Sequence, residues 1–275
     1  MQSFVSDIER LRLRKRPATL PLMRQRWRHV AFLHWSVDPV LLSALLPPGV
    51  ELDTWEGKAY VGLVPFAVRR SRAAFLPPVP IVSDFNQLNL RTYVHRRGRD
   101  PGVWFFSVDA SSRLAGWGAR AVYKLPYYHA SIAMEQGGGG TSFSSLRTAR
   151  AGWARFACSY LPTSAPAEVR VGTLEFFLIE RYLLYSWDGR RLRAARVWHH
   201  PYQVTTATTE SLGENVTIAA GLDIPPDRAP IAHYTDGVNV RLYPPALVKQ
   251  PIRDLLPNIA MGASLRLPAA DSFVG

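Results

Sequence analysis

Hydrophobic and polar positions alternate along this chain in short blocks that break at proline, glycine and Asp-Gly punctuation. AYVGLVPFAV (59–68) is apolar on both alternating sets, the pattern of a strand covered on both faces. Beyond the Pro-rich LPPVP (76–80), FNQLNLRTYV (85–94) separates its faces. Gln87, Asn89, Arg91 and Tyr93 share one, and Leu88, Leu90, Thr92 and Val94 share the other. RRGRDPG supplies turn residues, and GVWFFSVDA (102–110) returns as an antiparallel partner. Further hairpins are predicted around the glycine run 137–140, around Asp188-Gly189 and around Asp236-Gly237.

Helical segments are few and short. Ser6 caps a helix over DIERLRLRKR, which Pro17 and Pro21 stop, and Asp38 caps another with Pro39 at its first position. SSRLAGWGARAVY reads as a helix capped by Ser111 or Ser112, and TLEFFLIE (173–180) as a helical turn starting at Thr173. The expected fold is mainly β (α+β), an antiparallel barrel or sandwich with short peripheral helices. No internal repeat or linker interrupts it. The expected organisation is a basic arm at 1–26, a β domain at 27–243 and a peripheral tail at 244–275.

Composition narrows the setting. With 275 residues and 47% hydrophobic content the chain can bury a sizeable core. It has no apolar run long enough to span a membrane, and its N-terminus, MQSFVSDIERLRLRKR, lacks the apolar region of a secretory signal. The single cysteine, Cys158, cannot form an internal disulfide, and its RFACSY context suits core packing, so a cytoplasmic protein is expected. A net charge of +12 raises the question of nucleic acid. The basic residues, however, are spread along the chain apart from dense runs at 10–16 and 24–28, which favours a solvated arm. Homo-oligomerisation is left open.

No GxSxG, GxxxxGK[ST], HExxH or GxGxxG motif occurs. His34, His95, His129 and His233 lack ligand spacing, and the adjacent His199 and His200 would diverge on a strand, so no metal site is read. The polar face of 85–94 is more informative. Ordinary alternation turns it to solvent. In a hollow barrel it would instead be a pocket wall with a fixed cation at Arg91, able to grip a carboxylate.

Six ordered stretches carry a family resemblance: VDPVLLSALLPPGVELDTWEGKAYVGLVPF, FNQLNLRTYV, PGVWFFSVDA, ARAVYKLPYYHA, GTLEFFLIERYLLY and HHPYQV. Between about Trp27 and Tyr243 they resemble the YqjF-like bacterial proteins of unknown function. That group in turn is similar to acetoacetate decarboxylases, which implies a β-rich cone-like barrel around a small buried pocket. Those enzymes carry Arg-Glu, four residues, then Pro-Lys-Lys, and the first lysine forms a Schiff base with a β-keto acid. Laid on this chain, the arginine is Arg120, the proline is Pro126, and the lysines fall on Tyr127 and Tyr128. A glutamate of the decarboxylase site falls on Gln87 and an arginine on Ser36.

The resemblance therefore implies the fold without the Schiff-base chemistry. In such a pocket Tyr127 could donate a hydrogen bond or act as a general acid, its pKa lowered by a nearby cation. Gln87 and Asn89 would orient a neutral polar group, while Arg91 or Arg120 held an anion. Tyr128, Ser36, Glu180 and His200 complete the candidate set, the last two from motifs typical of the group. Each also has a plain structural alternative, as barrel wall or ion-pair partner. The expected ligand is a small carbonyl or carboxylate compound, handled without a cofactor. The alternatives are a non-catalytic binder of an apolar or aromatic metabolite and, more remotely, an interaction module built on the basic arm.

Overall fold

Local capping chemistry sets the helix starts. In the computed structural model, which describes residues 4–79, 82–147, 153–222, 224 and 228–248, the Ser6 hydroxyl accepts from the Glu9 amide and Asp38 accepts from the Val40 amide. Of the two serine candidates it is Ser112 that caps, and Thr173 caps the helical turn that follows it. The described elements run α1 (Asp7–Arg14), β1 (Met23–Val37), α2 (Pro39–Ser43), β2 (Glu51–Leu52), β3 (Ala59–Ala73), β4 (Phe85–Arg96) and β5 (Arg99–Ala110). They continue with α3 (Arg113–Tyr123), β6 (Tyr127–Gly137), β7 (Gly140–Arg147), β8 (Ala154–Pro162), β9 (Ala167–Glu168) and α4 (Leu174–Ile179). Last come β10 (Leu183–Trp187), β11 (Leu192–Trp198), β12 (Gln203–Glu214), α5 (Val216–Ala219), β13 (Ile231–Leu242) and β14 (Ala246–Leu247).

The strands form one continuous sheet that closes on itself twice. β5, β4, β3, β1 and β13 make a shared wall. On the far edge of β5, β10 pairs at Val103–Trp104 and β6 at Val108–Ala110. On the far edge of β13, β11 pairs at Arg241–Leu242 and β12 at His233–Tyr234. The wall thus closes through β10 and β11 on one side and through β6, β7, β8 and β12 on the other. Both pairings at β5 are parallel, so the architecture is antiparallel except there, and it is not a simple barrel.

This double closure explains the apolar texture of 59–68. One face of the wall, with Phe32, Val64 and Phe66, packs in a core with Leu184 and Val197. The other, with Leu33, Leu63, Leu88 and Leu90, packs against Phe143, Phe156 and Cys158. A strand buried on both faces needs apolar residues at every position.

Two expectations change. The region 231–242 is not a hairpin but a single strand, paired with β1 from Met23↔Leu242 to His34↔Ile231. Gly237 sits opposite Arg28 in an unbroken β1–β13 register, while the β1–β3 register shifts between Arg28 and Leu33, where His29 holds φ +52°. Gly237 holds φ +121°, and a Cβ there would overlap the Trp27 carbonyl, so glycine is required for close approach rather than reversal. The basic arm is not simply solvated either, because Arg10 and Leu13 of α1 are buried and β1 already begins at Met23. Beyond Pro244, β14 pairs with β11, and the tail from residue 249 lies outside the described residues.

Arg10 is anchored by Asp53, whose Oδ1 and Oδ2 it contacts at 2.9 and 2.8 Å, and Arg181 donates to the same Oδ2 at 2.7 Å. Burial alone would raise the Asp53 pKa, but Arg181 and Arg10 outweigh it and hold the carboxyl below its ordinary value. Its stabilising contribution is therefore present above about pH 4, the ordinary carboxylate value, and is lost as pH falls through the lower folded value. Asp53→Asn leaves two buried guanidinium groups uncompensated and should cost about 3–5 kcal/mol. Urea unfolding at neutral pH measures this, and the same variant should flatten the stability loss between about pH 4 and pH 2.

Candidate functional site

Within the first closure the sheet encloses a cavity of about 470 Å³. Its wall is mostly apolar, with Phe32, Val64, Phe66, Phe105, Leu184 and Val197 among the lining side chains. Into it β4 sends Gln87, Asn89 and Arg91, and the start of β6 sends Tyr127. The polar face of 85–94 is thus an interior wall. Tyr93, on the same side, is sealed beneath the cavity, its hydroxyl donating to the Leu178 carbonyl at 2.7 Å and lying 2.6 Å from His34 Nε2.

The four lining residues form a graded polar strip. Tyr127 reaches Gln87 Oε1 over a long 3.5 Å, and Gln87 Nε2 donates to Asn89 Oδ1 at 2.7 Å. Arg91 follows, donating to the Leu178 carbonyl at 3.2 Å and lying over Phe32 and Tyr93 at 5.5 and 5.7 Å. Its Nε is buried without a hydrogen-bond partner, and no carboxylate among the described residues pairs with it.

A second guanidinium lines the same space. Arg181 follows α4, shares Asp53 with Arg10, and leaves one terminal nitrogen buried without a partner. Burial lowers its pKa, and Asp53 offsets part of this, leaving it at about 10 and the group charged at neutral pH. Asp53 thus pairs with Arg10 and Arg181 while Arg91 has no carboxylate among the described residues, and the cavity floor carries excess positive charge. Tyr202 also lines the cavity, and neither it nor Arg181 was visible as a site residue, because they come from distant segments and only packing brings them to β4.

The neutral groups behave differently from expectation. Burial raises the Tyr127 pKa, partly offset by the Gln87 contact, and no cation among the described residues adds to that offset. The Arg120 guanidinium donates instead to the Tyr127 main-chain carbonyl. Tyr127 therefore stays a protonated donor rather than an easily ionised acid. His34, fully buried and repelled by Arg91, is held well below the ordinary histidine range.

The remaining candidates lie elsewhere. Tyr128 points away from the cavity, as the next residue on a strand must, and its ring lies under Arg147 at 4.1 Å. With Arg120 it lines an outer groove. Ser36 accepts from Arg228 at 2.6 Å and lies outside the cavity wall. Glu180 is buried, accepting from the Tyr182 hydroxyl and from the Tyr202 amide at 3.0 Å, with Arg14 at 3.7 Å. His200 is exposed, and its carbonyl lies 2.8 Å from His199 Nδ1. The structure brings together Tyr127, Gln87, Asn89 and Arg91, and separates them from the other five.

The twice-closed sheet around an interior pocket is an acetoacetate decarboxylase-like fold. The chain belongs to the DUF2071 family, described as an uncharacterized conserved protein, whose profile matches residues 24–239. It is 39% identical over 228 residues to the uncharacterized protein YqjF of Bacillus subtilis (strain 168), covering 83% of this chain and 93% of that one. Among solved structures it resembles the enduracididine biosynthesis enzyme MppR complexed with pyruvate, with a TM-score of 0.61 and 14% identity over 85% of this chain and 93% of that one. An acetoacetate decarboxylase from Legionella pneumophila superposes with a TM-score of 0.57 at 15% identity, covering 90% of this chain and 98% of that one. At such identities the likeness is one of fold.

No lysine among the described residues lines the cavity, and Lys124 closes α3 on the side of the outer groove. Incubation with acetoacetate and borohydride should accordingly leave the intact mass unchanged. A reduced adduct mapped to a lysine would contradict this placement.

Proposed function

We propose that this protein binds a small organic anion, a carboxylate on an apolar or aromatic body, without forming a covalent intermediate. The supporting observation is the charge of the cavity: Arg91 is buried in a mainly apolar wall without a carboxylate partner among the described residues. A buried charge left unpaired is costly, and an anionic occupant removes that cost. Arg91 would grip the carboxylate, with Arg181 adding to the field. The Tyr127–Gln87–Asn89 strip would take a carbonyl or hydroxyl on the ligand, and the aromatic wall would hold its body. The volume falls within the roughly 300–1,000 Å³ of small-molecule sites.

Binding is favoured over turnover by the state of the polar groups. Acid–base chemistry at neutral pH works best with a group whose pKa lies near 7. Burial moves Tyr127 away from that range, and Gln87 and Asn89 do not ionise. MppR, of the same fold, was solved with pyruvate, a small carboxylate.

A thermal-shift series of aliphatic and aromatic carboxylates, each beside its primary amide, tests the reading. The carboxylates should stabilise and the amides should not. Arg91→Gln should weaken the best carboxylate about 10- to 100-fold, the loss expected for a charged hydrogen bond. Tyr128→Phe, outside the cavity, should leave the affinity unchanged. Equal binding of amides and carboxylates would defeat the proposal.

Tyr127→Phe should cost roughly 3- to 10-fold for ligands that carry a carbonyl. That ratio should stay constant from about pH 6 to pH 9, since the phenol pKa lies above the ordinary value of about 10. Titration calorimetry across that range measures it.

A further inference from the structure

The cavity mouth is bounded by two segments with an unusual surface. On α3, Leu114, Trp117 and Ala121 recur at helical spacing, Leu114 at the cavity and Trp117 and Ala121 over the crest of the helix toward the outer groove, with Leu114 65% and Trp117 74% exposed. The inward side of the same helix carries buried Tyr123, and Gly116 lies against the Tyr127 ring. Gly118 and Val122 edge the opening. Across it, the connection from β3 to β4 exposes Phe75 (73%), Leu76 and Val79. Soluble chains rarely gather exposed apolar side chains of this size without a partner for them.

Charge around this rim has one sign. α3 contributes Arg113, and the end of β3 contributes Arg70 and Arg72. The Arg72 guanidinium donates to the Leu76 carbonyl within the rim itself. Neither α3 nor the segment 67–79 contains an acidic residue. Asp84 is the nearby exception, and it accepts from the Arg70 amide at 2.6 Å.

We propose that this rim docks the protein on the surface of an anionic phospholipid bilayer, with the cavity mouth facing the membrane. An outward apolar helix face holding a tryptophan and flanked by arginines suits the headgroup boundary, where rings enter and guanidinium groups pair with phosphate. A second copy of the chain fits less well. A two-fold contact sets a patch against itself, which would bring Arg70, Arg72 and Arg113 against an equally basic patch. The docking deepens the binding reading and in that respect rests on it, since a carboxylate with an apolar body partitions into bilayers and would enter the cavity from there.

Co-sedimentation of the full chain with phosphatidylcholine vesicles, with and without phosphatidylglycerol, tests the docking. Binding should require phosphatidylglycerol and fall with added salt. Phe75→Ser/Trp117→Ser should abolish it, and Arg113→Glu should lower the partition coefficient about fivefold or more. Both variants should keep the wild-type thermal shift with a carboxylate in solution, which also reports that they fold. No binding to phosphatidylglycerol vesicles, or equal binding by both variants, would overturn the proposal. So would a concentration-dependent dimer, seen by sedimentation velocity, that the double variant abolishes. Vesicle binding without any carboxylate shift would uphold the docking while removing the ligand reading.

Discussion

Asp53 holds two guanidinium groups in the floor of the barrel, and much of the architecture converges on that one carboxylate. Through Arg10 it ties α1 to the sheet. Through Arg181 it fixes the turn between α4 and β10, where the Arg181 Nε also donates to the Phe177 carbonyl. The rings of Phe177 and Tyr93 lie beneath these cations at 4.5 and 4.6 Å from Arg181. A buried carboxylate paired with two arginines is not a cheap source of stability, because three charges lose their hydration. It does determine geometry, since an alternative packing would strand one of them.

The same arrangement gives the cavity its character. Asp53 is already engaged by Arg10 and Arg181, so no carboxylate among the described residues is left to neutralise Arg91. The interior is apolar, positively charged and lined by donors that do not ionise near neutrality. At the start of β6 the chain places Tyr127, a phenol rather than an amine.

How much of this was visible in the sequence depended on the range of the interaction. The caps at Ser6, Asp38 and Thr173, and the hairpins around 137–140 and Asp188-Gly189, are local events that involve a few adjacent residues. Asp236-Gly237 has the same local signature, yet the chain continues straight, because the pairing of β13 with β1 outweighs the turn preference. In the site, strict alternation along β4 marked Gln87, Asn89 and Arg91 as one face. Whether that face met water or a cavity was not written there. Glu180, His200 and Ser36 came from motif resemblance, and packing sends each to a different place. Arg181 carried no spacing signal at all, because its partners Asp53 and Arg10 lie far away in the chain.

By itself the sequence determined the helix caps, the hairpins around 137–140 and Asp188-Gly189, the two-sided burial of β3, and the identity of residues 127 and 128 as tyrosines. These follow from side-chain periodicity, capping chemistry and residue identity, all of which are local. Only the tertiary structure decided that the Gln87–Arg91 face looks inward, that Tyr127 and Tyr128 serve different compartments, and that Arg181 joins Arg91. Closing a sheet brings together residues from remote strands, and the burial that follows sets which charges are paired and which are left for a ligand.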